Sequence, residues 1–208
     1  MDFDPAYAIS FFVAILFSLT IHEAAHAFVG VRLGDDTPEI EGRLTLNPIP
    51  HIDLFGTIIL PLLLIVMNTG ILFGWAKPVR TDPRNLKNLR RDLTLIALAG
   101  PASNVAIALV FAIVTKIVMM VVSIDTVPPE VITFVYIMVV LNVLLAVFNM
   151  IPLPPLDGHR LLSLEWQQKL AAMGPIFILL IVFVLFRPLY EYVIGPMANI
   201  LIDFMFGK

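Results

Sequence analysis

Long apolar runs dominate the chain, and short polar stretches separate them. A helix that crosses a lipid bilayer needs about 20 predominantly apolar residues. Five runs approach or exceed that length, at residues 6–31, 93–124, 131–150, 170–186 and 189–206. A sixth run, 54–73, contains Pro61 and Asn68, and we expect it to enter the membrane and return to the same side, because proline and flanking glycines permit a bend.

These runs predict the fold class and the division of the chain. The class is an all-α polytopic membrane protein, with about five to six transmembrane helices and a short β-like re-entrant segment near the candidate site. Residues 1–208 are expected to form one membrane-embedded domain with its core at 6–158. Residues 159–208 are expected to form an interfacial helix and a C-terminal helical hairpin, because Arg187 and Pro188 separate the last two runs.

Composition narrows the class further. Hydrophobic residues make up 59% of the chain and charged residues 14%, whereas a soluble domain has roughly 25% charged residues. The formal net charge of −3 offers no basic surface for phosphates, so nucleic acid is not an expected partner. The chain has no cysteine, which excludes disulfides, cysteine zinc sites and iron–sulfur clusters.

The motif His22-Glu23-Ala24-Ala25-His26 carries the clearest chemistry. Residues four apart on a helix lie on one face, so both imidazoles can reach one metal ion while Glu23 lies beside them to activate water. The alternative is that these are polar residues of the membrane interface or the protein core. Ionisable groups inside an apolar span are costly and are functional candidates by default, so the metal interpretation is favoured.

A catalytic zinc site usually has three protein ligands, and the third is sought among the remaining polar residues. The best candidate is Asp157, which follows the proline-rich run 152–155 at the end of an apolar span. Irregular backbone at membrane depth is tolerated only where it is buried in protein or lines a wet cavity. The alternative is an ordinary loop aspartate at a helix end. Zinc suits imidazole and carboxylate ligands, although cobalt or iron would also fit.

Three motifs together make the chain resemble the site-2 proteases, which are intramembrane zinc metalloproteases. The family has an H-E-x-x-H helix, a G-P-x-x-N helix and an N-x-x-P-x-P-x-L-D-G segment. Here they are residues 22–26, 100–104 and 149–158, in that order across about two thirds of the chain. The run 73–79 also resembles a segment that lies beside the active site in prokaryotic members. The PDZ and CBS domains of many relatives are absent from this sequence.

The resemblance implies a set of site residues. One zinc ion per chain would be held by His22, His26 and Asp157, with Glu23 as the catalytic base. Residues implied to contact the substrate or stabilise the intermediate are Asn104, Asn149, Gly74, Trp75, Ala76 and Lys77. The two asparagines are equally suited to hydrogen bonds between helices, and Trp75 and Lys77 also suit anchoring at the membrane interface.

The expected function is hydrolysis of peptide bonds in or near the transmembrane segments of other membrane proteins, as in regulated intramembrane proteolysis. The expected partners are a transmembrane protein substrate and the lipid bilayer, and the sequence leaves the oligomeric state open. Lysine and arginine positions place the active site on the cytoplasmic side of the cell membrane. The alternatives are a membrane metal-ion transporter and a catalytically silent homologue that binds helices.

Overall fold

The structure is a computed structural model that describes residues 5–67 and 74–207. Within these two ranges it is helical, and no strand occurs in them. The α-helices are α1 (Pro5–Leu33), α2 (Thr37–Ile40), α3 (Leu60–Val66), α4 (Leu89–Met119), α5 (Pro129–Asn149), α6 (Leu164–Ala172), α7 (Pro175–Leu189) and α8 (Gly195–Phe206). Two π-helical segments, Leu54–Ile59 and Tyr190–Ile194, lead into α3 and join α7 to α8.

Four stretches in the described part of the chain are long and apolar enough to cross a membrane. They are Pro5–Leu33, Leu89–Met119, Pro129–Asn149 and Ile176–Phe206. The membrane class and the helical fold therefore agree with the sequence prediction, whereas the expected five to six transmembrane helices are not confirmed.

The helices α1, α4 and α5 form the core of the molecule. Phe11, Ile15 and Leu19 of α1 share a buried cluster with residues of α5 between Ile137 and Leu145. Ser18 contacts Asn142, and His26, further along α1, contacts Asp157, which follows the end of α5. The two helices therefore run in the same direction. On α4 the order is reversed, because His22 contacts Asn104 and His26 contacts Ile96. The C-terminal ends of α1 and α5 and the N-terminal part of α4 thus meet at one end of the core.

The C-terminal region differs from the expected hairpin. The segments α7, Tyr190–Ile194 and α8 form one uninterrupted helical stretch. Arg187 Nε donates to Glu191 Oε1 at 2.9 Å, a contact between residues four apart that belongs to a continuing helix. Pro188 removes one backbone donor, and the wider π-helical turn that follows accommodates the disruption. The Arg187-Pro188 pair is therefore not the turn of a hairpin.

The later part of this helical stretch packs on α4 and α5. Ile194 lies against Ala108 and Val143, and Met205 lies against Ala112 and Val139. The expected interfacial helix corresponds to α6, where Trp166 is exposed and Lys169 pairs with Glu165 at 2.6 Å.

The segment that follows Asp53 leaves the core and returns to its starting point. The Asp53 side chain accepts from the Gly56 N–H at 2.7 Å and caps the first helical turn. The Trp75 N–H donates to the Gly56 carbonyl at 3.1 Å, and Thr57 Oγ1 donates to the Trp75 carbonyl at 2.7 Å. Both ends of the expected re-entrant run therefore lie side by side. Residues 68–73, which include Asn68 of that prediction, lie outside the described residues.

Candidate metal centre

Two histidines and one aspartate converge at the site end of the core. His22 and His26 lie one turn apart on α1 and are buried. Asp157 reaches them from the loop that follows α5. The two Nε2 atoms are 3.0 Å apart, and each lies 3.2 Å from Asp157 Oδ2. These three residues, predicted from separate parts of the sequence, form a group that could hold a metal ion.

The hydrogen-bond partners of the histidine rings show which nitrogens carry hydrogen, and therefore whether this group suits zinc. His22 Nδ1 is 2.6 Å from Asn104 Oδ1, and His26 Nδ1 is 2.6 Å from the Ile96 carbonyl oxygen. Because these oxygens accept, both Nδ1 atoms donate a hydrogen and both Nε2 atoms present a lone pair to the carboxylate. Tetrahedral zinc with bonds of about 2.0–2.1 Å has ligand atoms roughly 3.3 Å apart, close to the spacing here. The donor set therefore fits a zinc ion.

Gly100 allows α4 to pass directly beneath the two imidazoles. A Cβ atom at this position would overlap the His26 and His22 rings. The helix therefore carries a glycine at the point of closest approach, and Asn104, one turn later, reaches His22 from the same face. The glycine of the G-P-x-x-N pattern thus lies against both histidines, and its asparagine contacts His22. The sequence alone did not reveal these contacts.

A second glycine positions Asp157. At Gly158 a Cβ atom would overlap the main chain of Met150 and Ile151, so the loop folds back tightly against the end of α5. The fold of this loop brings Asp157 Oδ2 to 3.2 Å from the Nε2 atoms of both histidines. The carboxylate therefore lies where it could share a metal ion with the two rings.

Glu23 is buried beside the ligands and is bound to the chain segment opposite. Its Oε2 accepts from the Val79 N–H at 2.8 Å. No described residue forms a hydrogen bond with the other carboxylate oxygen, Oε1. One oxygen is therefore fixed by the main chain, and the second is available to accept a proton.

The segment 74–79 runs along α1 with a regular alternation. The N–H groups of Trp75, Lys77 and Val79 donate to the Gly56 carbonyl, the His51 carbonyl and Glu23, respectively. Alternate residues of an extended chain direct their main-chain groups to opposite sides. The N–H and carbonyl groups of Ala76, between these residues, have no hydrogen bond with any described residue. These hydrogen bonds alternate as they do in an extended chain, but no strand is assigned in the described part of the chain, so the expected β-like segment is not confirmed.

The four residues of this segment that were expected to contact the substrate or stabilise the intermediate have different environments. Gly74 and Ala76 are buried, and Trp75 and Lys77 are exposed. The Trp75 ring lies on Gly56, where a Cβ atom would overlap it. This packing holds the segment next to the helical turn that begins at Leu54.

The two asparagines expected to contact substrate lie in different places. Asn104 is fully buried, and its amide binds His22 at one end and Asn142 at the other. This geometry favours the hydrogen bond between helices over contact with a substrate. Asn149 is half-buried at the end of α5 and donates to the Leu145 carbonyl at 3.0 Å. The structure does not connect Asn149 to the three ligands through any described hydrogen bond.

Two further residues organise the site and were missed in the sequence. Asp35 is fully buried and accepts from the Asp82 N–H at 2.9 Å and from Asn85 Nδ2 at 3.1 Å, which ties the end of α1 to the loop before α4. Arg43 is buried and donates to the carbonyls of Pro50 and Lys77. A single charged residue in a polar loop gives no signal of either contact.

Comparison with known proteins identifies the family. The sequence profile of peptidase family M50 matches residues 114–189. The "Putative zinc metalloprotease YwhC" of Bacillus subtilis is 36% identical over 195 residues, which cover 90% of this chain and 84% of the relative. The chain belongs to peptidase family M50, the site-2 proteases. The resemblance inferred from the three motifs is therefore confirmed.

A second relative of this M50 protein comes from another genus. The "Putative zinc metalloprotease Rip2" of Mycobacterium tuberculosis is 32% identical over 187 residues, which cover 87% of this chain and 69% of the relative. No solved structure shows a significant match. The family and the names of the relatives support a membrane metalloprotease, and the donor set found here agrees with a zinc enzyme.

Proposed function

We propose that this M50 protein is an intramembrane zinc metalloprotease that hydrolyses peptide bonds in or near the transmembrane segments of other membrane proteins. The observation that carries the proposal is the convergence of His22, His26 and Asp157 at spacings of 3.0–3.2 Å. Glu23 is adjacent in sequence to the first ligand and has one carboxylate oxygen without a described partner. Ligands and a base in this arrangement are the components of metal-assisted hydrolysis.

The roles of the chain's own residues follow from their geometry. A zinc ion held by the three ligands would supply Lewis-acid activation of water and of the peptide carbonyl. Glu23 Oε1 accepts the proton of the attacking water and delivers it to the leaving nitrogen. The Val79 N–H keeps the carboxylate in one orientation during both transfers. Asn149, at the end of α5, remains our candidate for contact with the substrate or the oxyanion.

The segment 74–79 suggests how the substrate is presented. A transmembrane helix hides its carbonyl groups in its own hydrogen bonds, so it must unwind before water can attack one of them. The main-chain groups of Ala76 are not used by any described residue and could pair with an extended substrate strand. Substrate pairing at this edge would place the strand beside Glu23, because Val79 of the same segment binds that carboxylate.

The charge distribution supports an active site that opens toward the cytoplasm, in the cell membrane. Arg32 lies in the last turn of α1, at the site end of the core. Six further basic residues precede α4 or lie in its first turn, namely Lys77, Arg80, Arg84, Lys87, Arg90 and Arg91. At the opposite end Lys116 lies in the last turn of α4. Basic residues accumulate on the cytoplasmic side of membrane proteins.

The proposed function is tested with purified protein and single-pass membrane substrates. We expect cleavage that stops on addition of a zinc chelator and resumes when zinc is restored. Glu23→Gln should retain zinc and lose at least about a hundredfold in rate, because the base is removed. His22→Ala should lose both zinc and cleavage. Zinc flux into vesicles by Glu23→Gln, with no cleavage by the wild type, would instead indicate the transporter.

A further inference from the structure

A line of buried polar side chains connects His22 to the two other core helices. Ser18 of α1, Asn104 of α4 and Asn142 of α5 are all 0% exposed. Asn104 Nδ2 donates to Asn142 Oδ1 at 2.9 Å, and Asn142 Nδ2 donates to Ser18 Oγ at 2.9 Å. Asn104 Oδ1 lies 2.6 Å from His22 Nδ1. Neither Ser18 nor Asn142 belongs to any of the three sequence motifs.

The direction of every hydrogen bond in this line is determined by one main-chain carbonyl. Asn142 Nδ2 also donates to the Met138 carbonyl at 2.8 Å, and a carbonyl can only accept. The amide nitrogen of Asn142 must therefore face Met138, which leaves its oxygen to face Asn104. Asn104 must then offer its nitrogen to Asn142 and its oxygen to His22.

His22 is consequently required to donate from Nδ1, which leaves the lone pair on Nε2. His26 has the same tautomer without an intervening amide, because its Nδ1 partner is the main-chain carbonyl of Ile96. If the Asn104 amide were reversed, its nitrogen would face His22 Nδ1 and favour hydrogen on Nε2. That ring could not then donate a lone pair to a metal ion without changing tautomer.

We infer that Asn142 is a positioning residue of the metal centre, which acts through Asn104 to set the tautomer of His22. The inference rests on the proposed zinc centre, but it concerns metal affinity and not cleavage. Partners of a ligating histidine fix its tautomer and orientation, and their loss typically weakens metal binding by 10–100-fold. Asn142 forms no described hydrogen bond with His22, His26 or Asp157 and reaches His22 through Asn104.

The test is the zinc affinity of full-length variants in detergent, measured by competition with a chelator. Asn142→Leu should bind zinc about tenfold more weakly than the wild type. Thr115→Val is the matched control, because Thr115 is a buried polar residue of α4 beyond Asn104, and it should leave zinc affinity unchanged. Thermal unfolding of each variant identifies those that are folded, and Asn142→Ala replaces Asn142→Leu if the latter does not fold.

The same loss of Asn142, made in the Asn104→Asp protein, distinguishes control of the His22 tautomer from general damage to packing. In Asn104→Asp the carboxylate accepts from His22 Nδ1 whatever its neighbour does. In this background the introduced carboxylate and Asn142 Oδ1 are both acceptors and face each other. Loss of Asn142 should therefore not weaken zinc binding in the Asn104→Asp background, although it weakens binding about tenfold in the wild type. An equal loss in both backgrounds would show a structural role and overturn the inference, as would full affinity in Asn142→Leu.

The cobalt-loaded protein provides a spectroscopic readout with an internal control. The exchangeable Nδ1 protons of His22 and His26 should both give paramagnetically shifted signals. Asn142→Leu should accelerate solvent exchange of the His22 proton and leave the His26 proton unchanged. Equal behaviour of the two protons would contradict the inference. A wild-type protein that binds zinc but cleaves no substrate would refute the proposed function and leave this inference intact.

Discussion

At the scale of single residues, the candidate metal centre depends on the absence of side chains at two glycines as much as on its three candidate ligands. Gly100 lies where a Cβ atom would overlap both imidazoles, and Gly158 lies where one would overlap the main chain after α5. Neither position requires the unusual backbone freedom of glycine. Each is needed for close approach, so their role is seen only when α1, α4 and the loop to Asp157 are assembled.

We predict that Gly100→Ala abolishes tight zinc binding while the protein remains folded. The added methyl group would displace His22 and His26 from their common point, and metal sites tolerate little displacement of a ligand. Zinc content after dialysis measures the effect. Gly30→Ala is the matched control, because its Cβ would make ordinary contacts of 3.6 Å and 3.9 Å and should stabilise α1 by about 0.5–1 kcal/mol. Wild-type zinc content in Gly100→Ala would refute the prediction.

Asp35 gives a prediction for the dependence of stability on pH. Burial raises the pKa of the Asp35 carboxyl. Hydrogen bonds from Thr37, Asn85 and Asp82 lower this pKa by more than burial raises it, so it lies below its ordinary value. A carboxyl group with a lowered pKa stabilises the folded state fully above its unfolded pKa of about 4. The stabilisation is lost as the pH falls through the lower, folded pKa.

Asp35→Asn should therefore destabilise the protein by about 1–3 kcal/mol at neutral pH, because charge-assisted hydrogen bonds are lost. The difference from the wild type should shrink as the pH falls below about 4. Unfolding midpoints in detergent across this pH range measure it. Asp36→Asn is the control, since Asp36 is exposed and its side chain accepts only from Asn85, at 3.3 Å, among the described hydrogen bonds. A difference that does not vary with pH would exclude this role of Asp35.

At the scale of elements, the segment 74–79 is bound to Glu23, the proposed catalytic base, and is also the segment that we propose presents the substrate. Its Val79 N–H donates to Glu23, and its Lys77 carbonyl accepts from Arg43 at 3.4 Å. The segment is thus held at several points, while the main chain of Ala76 has no described partner. A displacement of this segment would therefore also displace the base.

Two variants of Val79 test that connection. Val79→Pro removes the N–H that Glu23 accepts and should lower kcat about tenfold or more, because the base loses its orientation. Val79→Ala keeps the N–H and should remain close to the wild type. Both variants should bind zinc normally, because neither change touches a ligand. Equal kcat values for the two variants would show that this hydrogen bond is not needed.

The elements also show what the sequence could and could not predict. The three long helices α1, α4 and α5 followed from apolar length, which is a local property of the chain. The grouping of His22, His26 and Asp157 followed from residue spacing together with the family resemblance, and the structure brings the three side chains together. The C-terminal hairpin was predicted wrongly, because an Arg187-Pro188 pair resembles a break and the π-helical turn that absorbs it leaves no sequence signal. Asn142 was missed because a single amide in an apolar helix has no identifiable partner until three helices are packed together.

At the scale of the whole molecule, the parallel directions of α1 and α5 constrain the topology. His22 and His26 lie toward the C-terminal end of α1, and Asp157 follows the C-terminal end of α5. Only two helices of sufficient length, α1 and α4, precede α5 in the described chain, which gives α1 and α5 the same direction. A further crossing by the segment after Asp53 would make them antiparallel and separate the ligands.

The dimensions of that segment argue against a crossing. Its helical part, residues 54–66, is about 20 Å long at 1.5 Å per residue, whereas the hydrocarbon core is about 30 Å thick. The hydrogen bond between Gly56 and Trp75 brings its two ends together. We therefore predict a re-entrant segment, an N-terminus outside the cell and a metal centre that opens toward the cytoplasm.

Single cysteines test this topology without background, because the chain contains none. The positions are Thr126, exposed between α4 and α5, Arg84, exposed before α4, and Met67, exposed at the end of the segment. On intact cells a membrane-impermeant thiol reagent should label Thr126→Cys but neither Arg84→Cys nor Met67→Cys. Permeabilised cells should allow labelling of Arg84→Cys. Labelling of Met67→Cys from outside as readily as Thr126→Cys would show that the segment crosses, and labelling of Arg84→Cys alone would show the opposite orientation.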